Sequence, residues 1–134
     1  MQTNKLKTYA PKARRDFIAA VTRRAASFGL SPKGISPVRE EGEVVVIEGQ
    51  AYPKRIGAQR ARLAERNRRQ GFDQVMEAAA YTWFNRFAAI RFMELHGYLD
   101  HSFRVLSHPA GGALPEILEQ AQHVAADNQL ATIA

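Results

Sequence analysis

At 134 residues the chain is the length of one ordinary domain, and 46% hydrophobic against 24% charged residues is a globular balance that excludes a disordered or fibrous polymer. No apolar run approaches the roughly 18 residues of a membrane span, residues 1–7 are polar where a secretion signal needs an apolar stretch, and the absence of cysteine excludes disulfides, thiolate metal sites and cysteine nucleophiles. The net charge of +6 is unevenly spread: residues 1–72 hold 16 Lys or Arg against 6 Asp or Glu, and residues 73–134 hold 3 against 7. A basic half beside a mildly acidic, apolar half fits an electropositive surface that meets nucleic acid or an acidic protein; a merely solvating basic face is the plainer alternative.

In chain order, Pro11 opens a first helix, where its missing donor does no harm, and Phe17, Ile18, Val21, Ala25 and Phe28 share one arc before Gly29 stops it. Lys12, Arg15 and Arg23 point away from that arc. Residues 31–42 carry two Ser-Pro pairs and two glycines, which is loop chemistry, and Glu43 to Glu48 wraps the β-branched run Val44, Val45, Val46 and Ile47, a short strand. A lone strand leaves its backbone unsatisfied, so a partner is expected in residues 35–39 or after Gly49, as a small β-hairpin. Residues 56–70 are helical in propensity but poor in apolar residues. At about 100° per residue Arg55, Arg62, Arg66 and Arg69 fall in one narrow arc, provided Arg55 is inside the helix.

Gly71 breaks that helix, and Asp73 is expected to cap the next, residues 74–96. There Met76, Ala80, Trp83, Phe87 and Ile90 form one apolar stripe and Phe84, Ala88 and Leu95 another, so a central helix buried on most sides is expected, with Trp83 and Phe87 inside. Arg91 and Glu94 project into that apolar arc, with Asn85 and Arg86 one to two turns earlier. Buried charges cost several kcal/mol unless paired, so these four are read as an internal network fixing helix packing or as a contact to another part of a larger protein. Residues 98–113 read as connection, Pro115 opens a last helix through Ile117, Leu118, Ala121 and Val124, and residues 128–134 read as frayed or cut short. The expectation is a mainly α fold, a single helical domain over residues 1–134 around a central buried helix, leaving an exposed apolar patch.

Catalytic chemistry is sought and not found. His96, His101, His108 and His123 lack metal-ligand spacing, and the glutamates of residues 40–48 lack the lysine and converging aspartate of a two-metal nuclease. There is no phosphate-binding glycine loop and no nucleophile elbow. The expectation is no catalytic residue, no cofactor site and no metal site in this chain.

The run Ala80-Tyr81-Thr82-Trp83-Phe84-Asn85-Arg86-Phe87, continuing through Arg91, Glu94 and His96-Gly97-Tyr98-Leu99, resembles the N-terminal helix of the PglX-type adenine-specific DNA methyltransferases of the bacteriophage exclusion (BREX) system. A shorter form is similar to single-chain type II restriction-modification enzymes. Weaker stretches of the same resemblance follow in order: Asn4-Lys5-Leu6-Lys7, Ala13 to Phe17, the valine strand with Gly49 and Ala51-Tyr52-Pro53, Gly71-Phe72, Arg104-Val105-Leu106-Ser107, and Pro115-Glu116-Ile117-Leu118. The resemblance implies a cytoplasmic N-terminal module of an S-adenosylmethionine-dependent enzyme, partnered by the remainder of the methyltransferase, by DNA and by other BREX components. The catalytic Asn-Pro-Pro-Tyr of such enzymes is absent: the six prolines follow Ala10, Ser31, Ser36, Tyr52, His108 and Leu114. The chain alone is therefore expected to be inactive and to hold no S-adenosylmethionine. A free-standing small basic DNA-binding or assembly protein is the alternative. On either reading Arg55, Arg62, Arg66 and Arg69, with Lys12, Arg15 and Arg23, are the candidate DNA-backbone contacts, unless the arginines face acidic protein surface instead.

Overall fold

The computed structural model describes residues 3–133, with side chains through residue 125. Its elements are α1 (Thr3–Ser27), β1 (Leu30–Ser31), β2 (Gly34–Ile35), β3 (Arg39–Glu41), β4 (Val44–Ile47), β5 (Gln50–Pro53), α2 (Lys54–Gln70), α3 (Phe72–Leu95) and α4 (Glu116–Ile133). The fold is mainly helical, as expected. It divides into two compact units, residues 1–83 and 84–134, with α3 contributing to both.

In the first unit α1 starts eight residues before the expected Pro11, which lies inside it. A proline there removes one helical donor, a loss the fully exposed stretch from Thr3 to Lys12 can make up with water. The end of α1, β1, α2 and the start of α3 enclose one apolar cluster, Ala25, Leu30, Ala64, Val75 and Met76, with Val21, Phe28, Leu63 and Phe72 packed around it. The valine strand finds a partner on each side: β3-β4-β5 is an antiparallel meander, with Glu40 and Tyr52 opposite Val45. The expected hairpin is therefore one strand larger, because β4, flanked on both edges, satisfies all of its backbone groups. Glu48 and Gly49 both have positive φ, 48° and 76°, the pair that a tight two-residue hairpin turn needs. Val45 and Ile47 are buried, and α2 approaches β4 so closely that a methyl group added to Gly57 would stand 2.9 Å from a Val45 methyl.

One residue joins α2 to α3. Gly71, at φ 89°, donates to the Asn67 carbonyl and accepts from Val75 N–H, ending one helix and opening the next. Asp73 accordingly sits inside the first turn of α3, where its charge suits the helix dipole, and does not cap it. The expectation of a helix buried along its length is corrected. Met76 and Ala80 are buried, but Trp83 is 46% exposed, Phe84 and Phe87 are also exposed, and Phe92 is 54% exposed. The apolar cluster is assembled around the first turns of α3, and no core residue lies beyond Ala80 among the described residues.

In the second unit α3 ends in a left-handed cap at Gly97, where Tyr98 N–H bonds the Met93 carbonyl at 2.9 Å. A loop over residues 96–115 leads to α4, which starts just after Pro115 as expected and whose backbone stays helical to Ile133, past the fraying expected from residue 128. No described helix is long and apolar enough to cross a membrane.

Candidate functional site

Two arrangements carry the charged residues singled out by the sequence. The first is α2. Arg55 is inside the helix, so Arg55, Arg62, Arg66 and Arg69 occupy an arc of about 60° by helical geometry. All four are exposed. The opposite arc, centred about 150° away by the same geometry, holds Ile56, Gly57, Leu63, Ala64 and, at its middle, Arg60. Arg60 is only 8% exposed. Its Nε donates to the Phe28 carbonyl at 2.6 Å, and its Nη2 donates to the Ser36 carbonyl and to Ser36 Oγ at 3.3 Å. Burial pulls its guanidinium below the ordinary arginine value, while the Glu48 carboxylate pushes it back up. Gly29, at φ 76°, leaves the room: a Cβ there would meet Ser36 Oγ, and the Arg60 and Glu48 side chains at 3.0 Å. Arg60 thus ties the loops after α1 to α2 and fixes which face of α2 turns outward. Reading α2 as apolar-poor passed over it; its position between Ile56 and Leu63 was the available signal.

The α1 cations are all exposed but differently placed. Lys12 is bound to Asp16 at 2.7 Å, and that hydrogen bond, with Arg15 and Arg23 adding to it, holds the Asp16 carboxyl below its usual range. Each cationic stripe lies on the side of its helix away from the apolar cluster to which both helices contribute. Arg14, by contrast, reaches Glu77 on α3 as an ion pair.

The second arrangement centres on Glu94. Its side chain is fully buried, whereas Arg91 beside it is 46% exposed. One carboxylate oxygen, Oε2, accepts from the backbone N–H groups of Val105 and Leu106, both at 2.9 Å. The other, Oε1, accepts from Arg91 Nη1 at 2.6 Å and Ser107 Oγ at 2.8 Å. Burial alone would raise this carboxyl; the Leu106 N–H, Arg91, Ser107 and the Val105 N–H together outweigh it and hold the group at about 2. Glu116, at the start of α4, grips the same loop from the other side, accepting from Arg104 N–H at 2.8 Å. Its own N–H bonds the Ser107 carbonyl, and Ile117 N–H bonds the Arg104 carbonyl. Residues 104–107 are thus clamped between two glutamates. Asn85 and Arg86 are exposed on α3 and are not among the groups bound to Glu94.

His108 binds Glu119 at 2.8 Å and accepts the Ala110 N–H on Nδ1, so its neutral form donates from Nε2. No group of three His, Asp or Glu among the described residues is placed to hold a metal ion. Chemically, α2 presents a row of exposed guanidinium groups, and Glu94 braces a loop.

No protein-family profile matches the chain. It is 46% identical over 130 residues to the adenine-specific methyltransferase BrxX of Escherichia coli O9:H4 (strain HS), an alignment covering 93% of this chain and 11% of that protein. It is 28% identical over 139 residues to the adenine-specific methyltransferase PglX of Lacticaseibacillus casei (strain Zhang), covering 95% of this chain and 12% of that one. The chain therefore spans about a tenth of the length of the curated relatives it matches.

Proposed function

Because the chain is homologous to the PglX-type adenine-specific methyltransferases over nearly its whole length, we propose that it serves as the N-terminal helical module of such an enzyme, acting in BREX phage defence in the cytoplasm. The observation that carries this reading is 46% identity sustained across 93% of the chain, well beyond one shared helix. In this reading the S-adenosylmethionine site and the adenine pocket belong to the remaining polypeptide, and this module scaffolds it. The clamp supports that role. Arg91 and Glu94, from the stretch with the strongest family likeness, bind Val105, Leu106 and Ser107, and Glu116 binds Arg104, so three separate stretches of the resemblance form one braced structure.

The test is adenine methylation of DNA by the full-length enzyme with and without this segment. Methylation lost on deletion and restored when residues 1–134 are supplied as a separate, co-purifying chain is the expected result. Undiminished methylation by the enzyme lacking the segment would refute the scaffolding role. Calorimetric titration of S-adenosylmethionine into this chain alone is expected to release no binding heat.

A further inference from the structure

Resting on that reading of the chain as part of a DNA-modifying enzyme, we infer that the outward face of α2, carried by Arg55, Arg62, Arg66 and Arg69, grips the phosphate backbone of duplex DNA without reading its sequence. Four arginines in one arc of a helix is a pattern that solubility does not require, and here the arc is aimed. Arg60 on the opposite side is locked to the carbonyls of Phe28 and Ser36, and Gly57 seats the helix against Val45, so the stripe cannot roll inward. From Arg55 to Arg69 the rise is roughly 21 Å at 1.5 Å per residue, the axial length of about six base pairs.

The charge on this face is also available. Among the described residues Arg55 and Arg62 make no ion pair, and Arg66 bonds only the neutral Gln70, at 3.2 Å. Arg69 lies 3.9 Å from Glu65, at the edge of the arc. The α1 cations differ here, since Asp16 stands among Lys12, Arg15 and Arg23 and offsets them.

Composition selects DNA over an acidic protein surface. Protein interfaces are anchored by apolar or aromatic side chains at their centre. The residues flanking these arginines are Ala58, Gln59, Gln70 and, beside Arg69, Glu65, and α2 exposes no large hydrophobic side chain. Without an aromatic residue the face has nothing to stack on a base, which leaves phosphate as its ligand.

The experiment is fluorescence anisotropy of short labelled duplexes of two unrelated sequences, titrated with the 134-residue chain over a series of salt concentrations. Dissociation constants on the order of 10⁻⁴ to 10⁻⁶ M are expected for both duplexes, with log K falling against log salt at a slope of about −3 to −4 for four phosphate contacts. The R62E/R66E double variant should weaken both by the same factor, about tenfold or more, and flatten the slope by about two. Arg68 lies on α2 outside the arc, bound to Glu65; R68E makes an equal charge change per residue and should cost less than about threefold. A loss for R68E as large as that for R62E/R66E, or a loss confined to one of the two sequences, overturns the inference. So does undetectable binding at about 50 mM salt, which would leave the stripe to an acidic protein surface. Methylation that requires this segment while DNA binding ignores R62E/R66E would sink the inference alone and leave the proposed function standing.

Discussion

Residues 1–83 hold all nine buried apolar side chains of the described structure, whereas the only residue buried to that degree among the described side chains of residues 84–125 is a glutamate. Leu30, Val75 and Met76 share their burial with many neighbours, and no single contact among them is decisive. In the second unit one carboxylate holds two backbone amides, a hydroxyl and a guanidinium. Apolar packing is non-directional and loses stability in proportion to the volume removed. A polar clamp is directional, and losing its centre leaves several donors unmatched at once. The first unit is therefore expected to degrade gradually under substitution, and the second to fail at one point.

The sharpest way to break this contrast is Glu94→Ala. It strips the acceptor from the Val105 and Leu106 amides and from the Ser107 hydroxyl, while the half-exposed Arg91 keeps its bond to Ser107 Oγ at 2.6 Å; a destabilisation of about 3 to 5 kcal/mol is expected, the cost of several donors left unmatched together. Urea denaturation followed by circular dichroism reads it; a loss below about 1 kcal/mol would show that water replaces the carboxylate and that the clamp is dispensable.

Met76→Ala in the first unit should cost about 3 kcal/mol, the transfer and cavity cost of a buried methionine. The discriminating readout is pH. Glu94 is held at about 2 in the folded chain, below its ordinary value near 4.5, so its contribution is complete above the ordinary value and disappears as pH falls toward 2. That window should remove about 3 kcal/mol from the parent chain and from Met76→Ala, and should be much shallower in Glu94→Ala. Identical acid profiles for Glu94→Ala and the parent would assign the acid sensitivity to other carboxylates.

The smallest expected effect is Arg91→Ala. From sequence, removing either Arg91 or Glu94 is expected to cost about 3 to 5 kcal/mol if both are buried and paired, since each leaves its partner's charge unmatched; the structure separates them, because Arg91 is half exposed and Glu94 keeps three other donors. About 1 kcal/mol is expected, within the ordinary range for a solvent-accessible pair. Equal losses for the two variants would mean the guanidinium, and not the loop amides, holds the carboxylate.

What the sequence made legible follows from periodicity. The β-branched run at Val44 to Ile47 announces a strand, and the arginine spacing along α2 announces a stripe, because both signals repeat with the period of the element that carries them. What it hid depends on partners that carry no letter. Glu94 is recognisable as an oddity in an apolar arc, but two of its ligands are main-chain amides, which every residue but proline has. Arg60 looks like one more cation on a basic helix, and only the loop carbonyls that fold over it make it an internal brace. The aromatic half of α3 fails the other way. Trp83, Phe84 and Phe87 suggest burial, yet apolar residues supply much of any protein surface, so composition alone does not place a helix inside.

The clamp also changes what it means for residues 104–107 to be a loop. They belong to no helix or strand, and irregular backbone ordinarily exchanges its amide hydrogens with water on the timescale of local fluctuation. Here the amides of Val105 and Leu106 are donated to a buried carboxylate, and the Arg104 amide to Glu116. The first two hydrogens are expected to leave only when the loop parts from α3 and the third only when it parts from α4, so this irregular stretch should exchange more slowly than its lack of helix or strand suggests.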